Sequence, residues 1–223
     1  MTNGSGWLLA LDTATNTIVV AAGTEDGKLL VADAFEGRYR HSQELLPAVQ
    51  RLLAGASLAL HDLAGVIVGT GPGAFTGLRV GLATAKTLAH ELGVPVAGVA
   101  TSEALLVGAG DPDGTVALWL PSGPRDRLRA RRGAAPELVQ GTAEEGAGDL
   151  AVDLVGRASD AALERGRAAL AALPLSLLRL GAARLAAGDA DDPERLVPAY
   201  AVAPRGAPGS DAEGGVAWSR DPR

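Results

Sequence analysis

The chain has 223 residues, a length that suits one large domain or two small ones with a substantial core. Hydrophobic residues make up 47% and aromatic residues 3%, and the formal net charge of −6 argues against broad, nonspecific binding to nucleic acid. There is no cysteine, so disulfides, thiol catalysis and cysteine-ligated metals are excluded.

The first half of the sequence alternates apolar runs with helical patterns. Strands are predicted at 7–11, 17–22 and 28–35, then a helix at 41–53, a strand at 65–69, a helix at 76–92, a strand at 94–99 and a helix from 102 to 107. This order predicts an α/β fold with a mixed sheet.

The second half carries weaker patterns. Strands are predicted at 115–120 and 151–155, and helices at 161–173 and 175–187, separated by Pro174. Residues 1–6 and 201–223 contain few large apolar side chains, so we expect two disordered tails. No uncharged apolar run approaches the ~18 residues of a membrane helix and no signal peptide is evident, so we expect a cytoplasmic protein.

A glycine-rich segment from Gly69 to Gly81 joins a predicted strand to a predicted helix. Free backbone N–H groups and the positive end of a helix dipole favour an anion there, with Gly71 and Gly73 as candidate contacts. No Gly-Lys-Ser/Thr follows, and the Rossmann spacing of glycines is not met, so neither a Walker A loop nor a dinucleotide site is predicted.

Asp12 and Thr13 follow the first predicted strand. A carboxylate and a hydroxyl at this point could contact a magnesium–nucleotide complex, whereas the alternative is an Asx motif that caps the turn. The turn carries Ala14 and Thr15 where phosphate-binding turns usually carry glycine, so the residues favour the capping role.

The sequence offers little to a catalytic or metal site. His41, His61 and His90 are far apart and fit no zinc-binding spacing, and there is no Gly-x-Ser-x-Gly motif. We therefore predict no catalytic residue, no metal ligand and no cofactor.

The two helices of the first half carry more apolar surface than one sheet requires. The 76–92 helix has one apolar stripe for the sheet and a second stripe of mostly small side chains, formed by Gly77, Gly81, Thr84 and Leu88. The 41–53 helix has a broad stripe that includes Leu45, Leu46 and Val49, with His41 at its start. These eight residues are the predicted partner interface, and packing inside the chain is the alternative.

Arginines concentrate between Arg125 and Arg132. Alternating arginines could follow a phosphate backbone, but no aromatic residues interleave them. The pattern favours a charged hairpin edge that discourages aggregation.

Four segments occur in an order that resembles the TsaB (YeaZ) family: Leu9-Ala-Leu-Asp-Thr-Ala-Thr15, His41-Ser-Gln-Glu-Leu-Leu-Pro47, Gly71-Pro-Gly-Ala-Phe-Thr-Gly-Leu-Arg-Val-Gly81 and Gly98-Val-Ala-Thr-Ser102. The resemblance covers residues 7–108 and returns faintly at Leu196-Val-Pro-Ala-Tyr200. The family's Asp-Ala-Arg-x-x-Glu-Val-Tyr hairpin is absent as a sequence, because Pro121-Ser-Gly-Pro-Arg-Asp-Arg stands in its place.

The resemblance implies an ASKHA fold (actin-like ATPase, ribonuclease H-like) of two related subdomains, here at 7–100 and 101–200. It also implies a noncatalytic scaffold that binds and activates a TsaD-type threonylcarbamoyltransferase in tRNA modification, joined by a TsaE-type ATPase. Transfer RNA would be met only through that complex. Three rival hypotheses remain: a nucleotide-dependent phosphotransferase, a glycopeptidase, and a binding module that pairs with itself.

Overall fold

The computed structural model describes residues 6–37, 40–111, 114–123, 125–140 and 144–200. Its first half contains a short 3-10 helix at Leu60–Asp62 and eight longer elements, which are β1 (Trp7–Asp12), β2 (Thr17–Thr24), β3 (Leu29–Glu36), α1 (His41–Ala56), β4 (Leu63–Gly71), α2 (Phe75–Leu92), β5 (Val96–Ala100) and α3 (Thr101–Gly108). These follow the predicted order.

The second half contains four short strands and one long helix, which are β6 (Leu118–Ser122), β7 (Asp126–Ala130), β8 (Glu137–Val139), β9 (Leu150–Ala151) and α4 (Asp160–Ala186). The β6–β7 pair is an antiparallel hairpin. A hairpin therefore forms at the place where the family's hairpin sequence is missing. Buried apolar residues alternate along both strands, and Leu118 and Leu120 pair with Ala130 and Leu128.

The two sheets share one arrangement of four strands. The first has the order β3-β2-β1-β4-β5, with β1, β2 and β3 antiparallel and β4 parallel to β1. The second has the order β8-β7-β6-β9, with β6, β7 and β8 antiparallel and β9 parallel to β6. The second half thus repeats the arrangement of β1 to β4, and the predicted ASKHA fold with two related sheets is confirmed. The boundary at residue 100 stays a prediction.

The first sheet is buried on both faces because its strands alternate between two apolar clusters. Leu9, Leu11 and Val20 pack with α1 and α2 on one face. Leu8 and Ala10 pack with α3, α4 and the second sheet on the other. Two helices, α1 and α2, therefore form the outer layer of the molecule on one side.

Helix α4 crosses both halves without a break at Pro174, so the prediction of two helices was wrong. Proline costs a helix interior about 3 kcal/mol. Ala169, Leu173, Leu177 and Leu178 lie fully buried in the central cluster, and this burial outweighs that cost.

By length and composition α4 is also the one helix in the described residues that could cross a membrane. The apolar runs of the sequence predict no such span, because charged residues interrupt them. The helix packs along one side against both sheets, as the core helix of a soluble α/β domain does. The tails predicted at 1–6 and 201–223 lie outside the described residues except for Gly6, which is half-buried.

Candidate functional site

Helices α1 and α2 lie side by side on the outer face of the first sheet, and both begin beside the turn that follows β1. The apolar stripes set this placement: Leu45, Val49 and Leu52 of α1 are buried, as are Leu78 and Leu82 of α2. The stripe predicted to face the sheet on α2 does so.

The turn at Thr13–Asn16 makes a different contact through each of its first three residues. The Thr13 hydroxyl donates to the carbonyl of Gly77 in α2, at 2.7 Å. The carbonyl of Ala14 accepts from the N–H of Ala74 at the start of α2, at 2.7 Å. The carbonyl of Thr15 lies 2.9 Å from Nε2 of His41 in α1. The turn therefore fixes where both helices begin.

Asp12 is fully buried at the end of β1, and both of its carboxyl oxygens have donors. The Thr101 hydroxyl donates to Oδ2 at 2.6 Å, and the Ala14 N–H donates to Oδ1 at 2.9 Å. Thr101 in turn accepts from the N–H of Gly71, at 3.1 Å. Burial raises the pKa of Asp12 to about 6, partly offset by the hydrogen bonds from Thr101 and Ala14. This is the turn-capping role that the residues favoured.

The glycines of the loop allow the chain to close on this turn. A Cβ on Gly69 would overlap the Asp12 carboxylate, and one on Gly73 would overlap the carbonyl of Ala14. Gly71 adopts a φ of +100°, which disfavours any other residue. Of the four candidate anion contacts, Asp12, Thr13 and Gly71 are buried and Gly73 is half-buried, so a nucleotide would reach the first three only if the turn and α2 separated.

The eight predicted interface residues occupy very different positions. Leu46 is 50% exposed, and Thr84 and Leu88 are half-buried. His41, Leu45, Val49, Gly77 and Gly81 are buried within the chain.

The prediction that the glycine stripe of α2 faces a partner was therefore wrong. A Cβ on Gly77 would overlap the carbonyl of Thr13, and one on Gly81 would overlap the Thr13 hydroxyl. Glycine is needed at both positions because the turn lies against them, so Gly77 and Gly81 are covered within the folded chain, whereas Thr84 and Leu88 remain partly accessible.

The central outward positions of both helices carry no charge, while exposed Arg51, Arg79 and Glu91 lie at their margins. The central positions lie opposite the buried stripes and consist of Gln43, Leu46, Pro47, Gln50 and Ala54 on α1 and Thr76, Val80, Ala83 and Thr87 on α2. We call these nine residues the two-helix surface. Eight are exposed and Val80 is half-buried, in a chain of which 21% is charged. Sequence reasoning could have found this surface by asking where charged residues are missing.

A segment after α4 holds the other side of α2. The N–H of Ala199 donates to the carbonyl of Thr70 at 2.8 Å, and the Lys86 ammonium donates to the carbonyl of Leu196 at 3.3 Å. The rings of Tyr200 and Phe75 lie 5.1 Å apart. Residues 196–200, where the family resemblance returned, therefore brace the start of α2.

Ion pairs within the chain occupy much of the arginine patch. Arg127 pairs with Glu145, and Arg132 with Glu103 of α3. Arg129 pairs with Glu137 on the neighbouring strand β8. β7 lies between β6 and β8 and is not an edge, so that part of the prediction was wrong. These pairs link β7 to β8, to the loop before β9 and, through Arg132, to α3.

Within the described residues no group of three or more histidine, aspartate or glutamate side chains is arranged to hold a metal ion. His61 and His90 are exposed and far from the buried turn in sequence, and His41 contacts the turn. The geometry therefore presents a closed turn and an uncharged helical surface.

Two sheets that share one arrangement of four strands, with helices on the outer face and a buried carboxylate after β1, define a protein of the actin-like ASKHA fold. A solved structure described as an uncharacterized protein with similarity to peptidase YeaZ, from Pseudomonas aeruginosa, superposes with a TM-score of 0.65 at 26% identity. That superposition covers 87% of this chain and 99% of the other.

The family model described as "TsaD: tRNA N6-adenosine threonylcarbamoyltransferase" matches residues 37–173, which is more than half of the chain. The chain belongs to this family and, within it, to the TsaB (YeaZ) proteins.

Two curated relatives carry the name "tRNA threonylcarbamoyladenosine biosynthesis protein TsaB". The protein from Bacillus subtilis (strain 168) is 35% identical over 109 residues, or 49% of this chain and 47% of its own length. The protein from Escherichia coli (strain K12) is 40% identical over 103 residues, or 46% of this chain and 43% of its own. The chain thus spans less than half the length of these two relatives.

Proposed function

We propose that this chain is a noncatalytic, cytoplasmic subunit that binds and activates a TsaD-type threonylcarbamoyltransferase in the threonylcarbamoyladenosine modification of tRNA. A TsaE-type ATPase would join the pair, and tRNA would be bound by the complex. Family membership supports the pathway. The observation that carries the scaffold role is the two-helix surface.

That surface has the composition of an interface core. Protein interfaces are depleted of charge at their centre and close-packed, and small side chains let helices approach closely. Leu46, Val80 and Ala83 offer apolar contact, while Gln43 and Gln50 can hydrogen-bond at the margin. Arg79 and Arg51 are exposed on the flanks of the two helices and would lie at the polar rim.

The closed turn supports the absence of catalysis. A phosphotransferase of this fold needs an accessible carboxylate and an open turn for phosphate, but Asp12 is buried and the carbonyls of the turn face α1 and α2. The pKa of Asp12, about 6, is explained by burial of the carboxyl group and does not imply a catalytic role.

A charge placed at the centre of the two-helix surface tests the proposal. Ala83→Arg should weaken binding of the TsaD-type subunit at least tenfold in calorimetry, since an unpaired charge would be buried in the contact. Ala83 is exposed, so the melting temperature should stay within a few degrees. Ala168→Arg, at an exposed alanine of α4, is the matched control and should bind as the unmodified chain does.

The alternatives give different results in the same series. If Ala83→Arg binds with unchanged affinity, the surface is not the interface. Tight binding and turnover of magnesium–ATP by the isolated chain would favour the phosphotransferase. A homodimer that persists when the TsaD-type subunit is added would favour the self-pairing module.

A further inference from the structure

We propose that Asp153 clasps the second sheet to the turn that positions α1 and α2. The residue follows β9, and its carboxylate Oδ2 accepts from the backbone N–H of Asn16, 137 positions earlier in the chain, at 2.7 Å. The Asn16 side chain also bonds to this carboxylate. The last residue of the turn thus contacts the second sheet, as its first three contact the glycine loop and the two helices.

The bond lies at a place where it can transmit movement. The carbonyl of Asn16 accepts from the N–H of Gly37, which leads into α1, at 2.7 Å. The neighbouring carbonyl of Thr15 contacts His41, the first residue of α1. A shift of the second sheet would therefore reach the start of α1 through two consecutive turn residues.

The backbone of Asp153 adopts an uncommon conformation where its side chain makes this contact. Its φ of +59° is in the left-handed region, which is uncommon for a residue with a side chain and which aspartate tolerates better than most. In the first sheet the strand equivalent to β9 is β4, and β4 ends at Gly71, which also has a positive φ. Glycine would adopt this backbone conformation with the least strain, but position 153 carries an aspartate. The clasp uses the side chain of that aspartate.

A second link joins the halves elsewhere. Arg132 follows β7 and donates to Glu103 of α3 at 2.9 Å. Because β7 runs antiparallel to β6 while β9 runs parallel to it, Arg132 and Asp153 lie at opposite ends of the second sheet. The Arg132–Glu103 pair does not involve the turn, so it provides a matched control.

Amide hydrogen exchange on the isolated full chain measures the clasp directly. Asp153→Ala should speed exchange at Asn16 and Gly37 about tenfold or more, because a hydrogen bond to a charged acceptor is lost. Asp153→Asn keeps an acceptor and should restore most of the protection. Asp153→Gly relieves the backbone at positive φ but removes the acceptor, so exchange should remain fast even where the chain is as stable as the unmodified one.

Two results would overturn the clasp. One is unchanged exchange at Asn16 in a folded Asp153→Ala variant. The other is equal acceleration in Glu103→Gln, which would mean general loosening. The link to the partner rests on the proposed function: Asp153→Ala should also weaken binding of the TsaD-type subunit several-fold. If exchange accelerates while that affinity stays unchanged, the clasp stands and its coupling to the two-helix surface fails.

The pH dependence has a defined sign. Burial raises the pKa of Asp153, and the nearby Glu36 carboxylate raises it further, while the Asn16 bonds and the charge of His41 lower it. Because the bonds from Asn16 lower the pKa, they favour the charged carboxylate, and proton uptake by Asp153 weakens them. Protection at Asn16, corrected for the intrinsic exchange rate, should therefore decrease as the pH falls through the pKa of Asp153, and an increase would contradict the assignment.

Discussion

Asp12 carries two opposing contributions to the free energy of unfolding. Its carboxylate accepts hydrogen bonds from Thr101 and Ala14, while burial penalises the charge and raises its pKa from 3.8 to about 6. The folded chain thus binds a proton more readily than the unfolded chain between those values. Stability from this residue increases as the pH falls from about 7 to about 4, by roughly 1.4 kcal/mol for each pH unit that separates the folded and unfolded pKa values.

Asp12→Asn should therefore be more destabilising at pH 5 than at pH 7. The amide offers one oxygen to two donors at either pH, at a cost of about 1–3 kcal/mol, but it avoids the charge burial that penalises Asp12 only at neutral pH. Urea denaturation at the two pH values measures the difference. An equal loss at both would show that Asp12 titrates as an ordinary, exposed aspartate.

Thr101 offers a separate test of the same network. Thr101→Val removes the donor to Asp12 and the acceptor for Gly71, so the free energy of unfolding should fall by about 1–3 kcal/mol. The pKa of Asp12 should rise further, because the Thr101 hydrogen bond lowers it. NMR titration of the Asp12 carboxyl carbon would check the direction, and an unchanged pKa would contradict it.

Helix α2 shows which features of a single element the spacing of apolar residues can predict. Its bounds and the stripe that faces the sheet follow from apolar spacing, because burial against strands is decided within the helix itself. The role of Gly77 and Gly81 does not, since spacing shows that a face is small without showing what lies against it. The neighbour is a turn more than sixty residues earlier, and its position depends on the whole sheet.

The same reasoning explains the long helix. By local rules Pro174 predicts a break, but the apolar cluster that holds α4 is formed largely by strands distant in sequence. The fold class could be predicted from element order. The two-helix surface could not be fully predicted, because exposure depends on how α1 and α2 pack together.

Gly81→Ala should destabilise the chain by about 1–3 kcal/mol, because its Cβ would overlap the Thr13 hydroxyl. Gly81→Leu should be worse and should unfold the chain rather than merely block a partner. Gly55→Ala is the control, since nothing lies within 4 Å of that Cβ, and it should stabilise α1 by about 0.5–1 kcal/mol. A stable Gly81→Leu variant that fails to bind the TsaD-type subunit would show that the glycine stripe of α2 is part of the interface after all.

At the scale of the molecule, the turn after β1 contacts α1, α2, the glycine loop and the second sheet at once. A turn in this position in a nucleotide-binding relative would have to leave space for phosphate. Here the carbonyls of Ala14 and Thr15 face the starts of α2 and α1, and the nine residues of the two-helix surface carry no charge. These contacts support the proposal that the molecule presents two helices to a partner.

Reconstituted threonylcarbamoyl transfer to tRNA is the decisive test of the scaffold function. The TsaD-type subunit and the TsaE-type ATPase are assayed with and without this chain, and with the Ala83→Arg variant. We predict that transfer requires the chain, that the chain alone transfers nothing, and that the variant restores activity only at much higher concentration. Transfer that proceeds equally well without the chain, or transfer by the chain alone, would contradict the scaffold function.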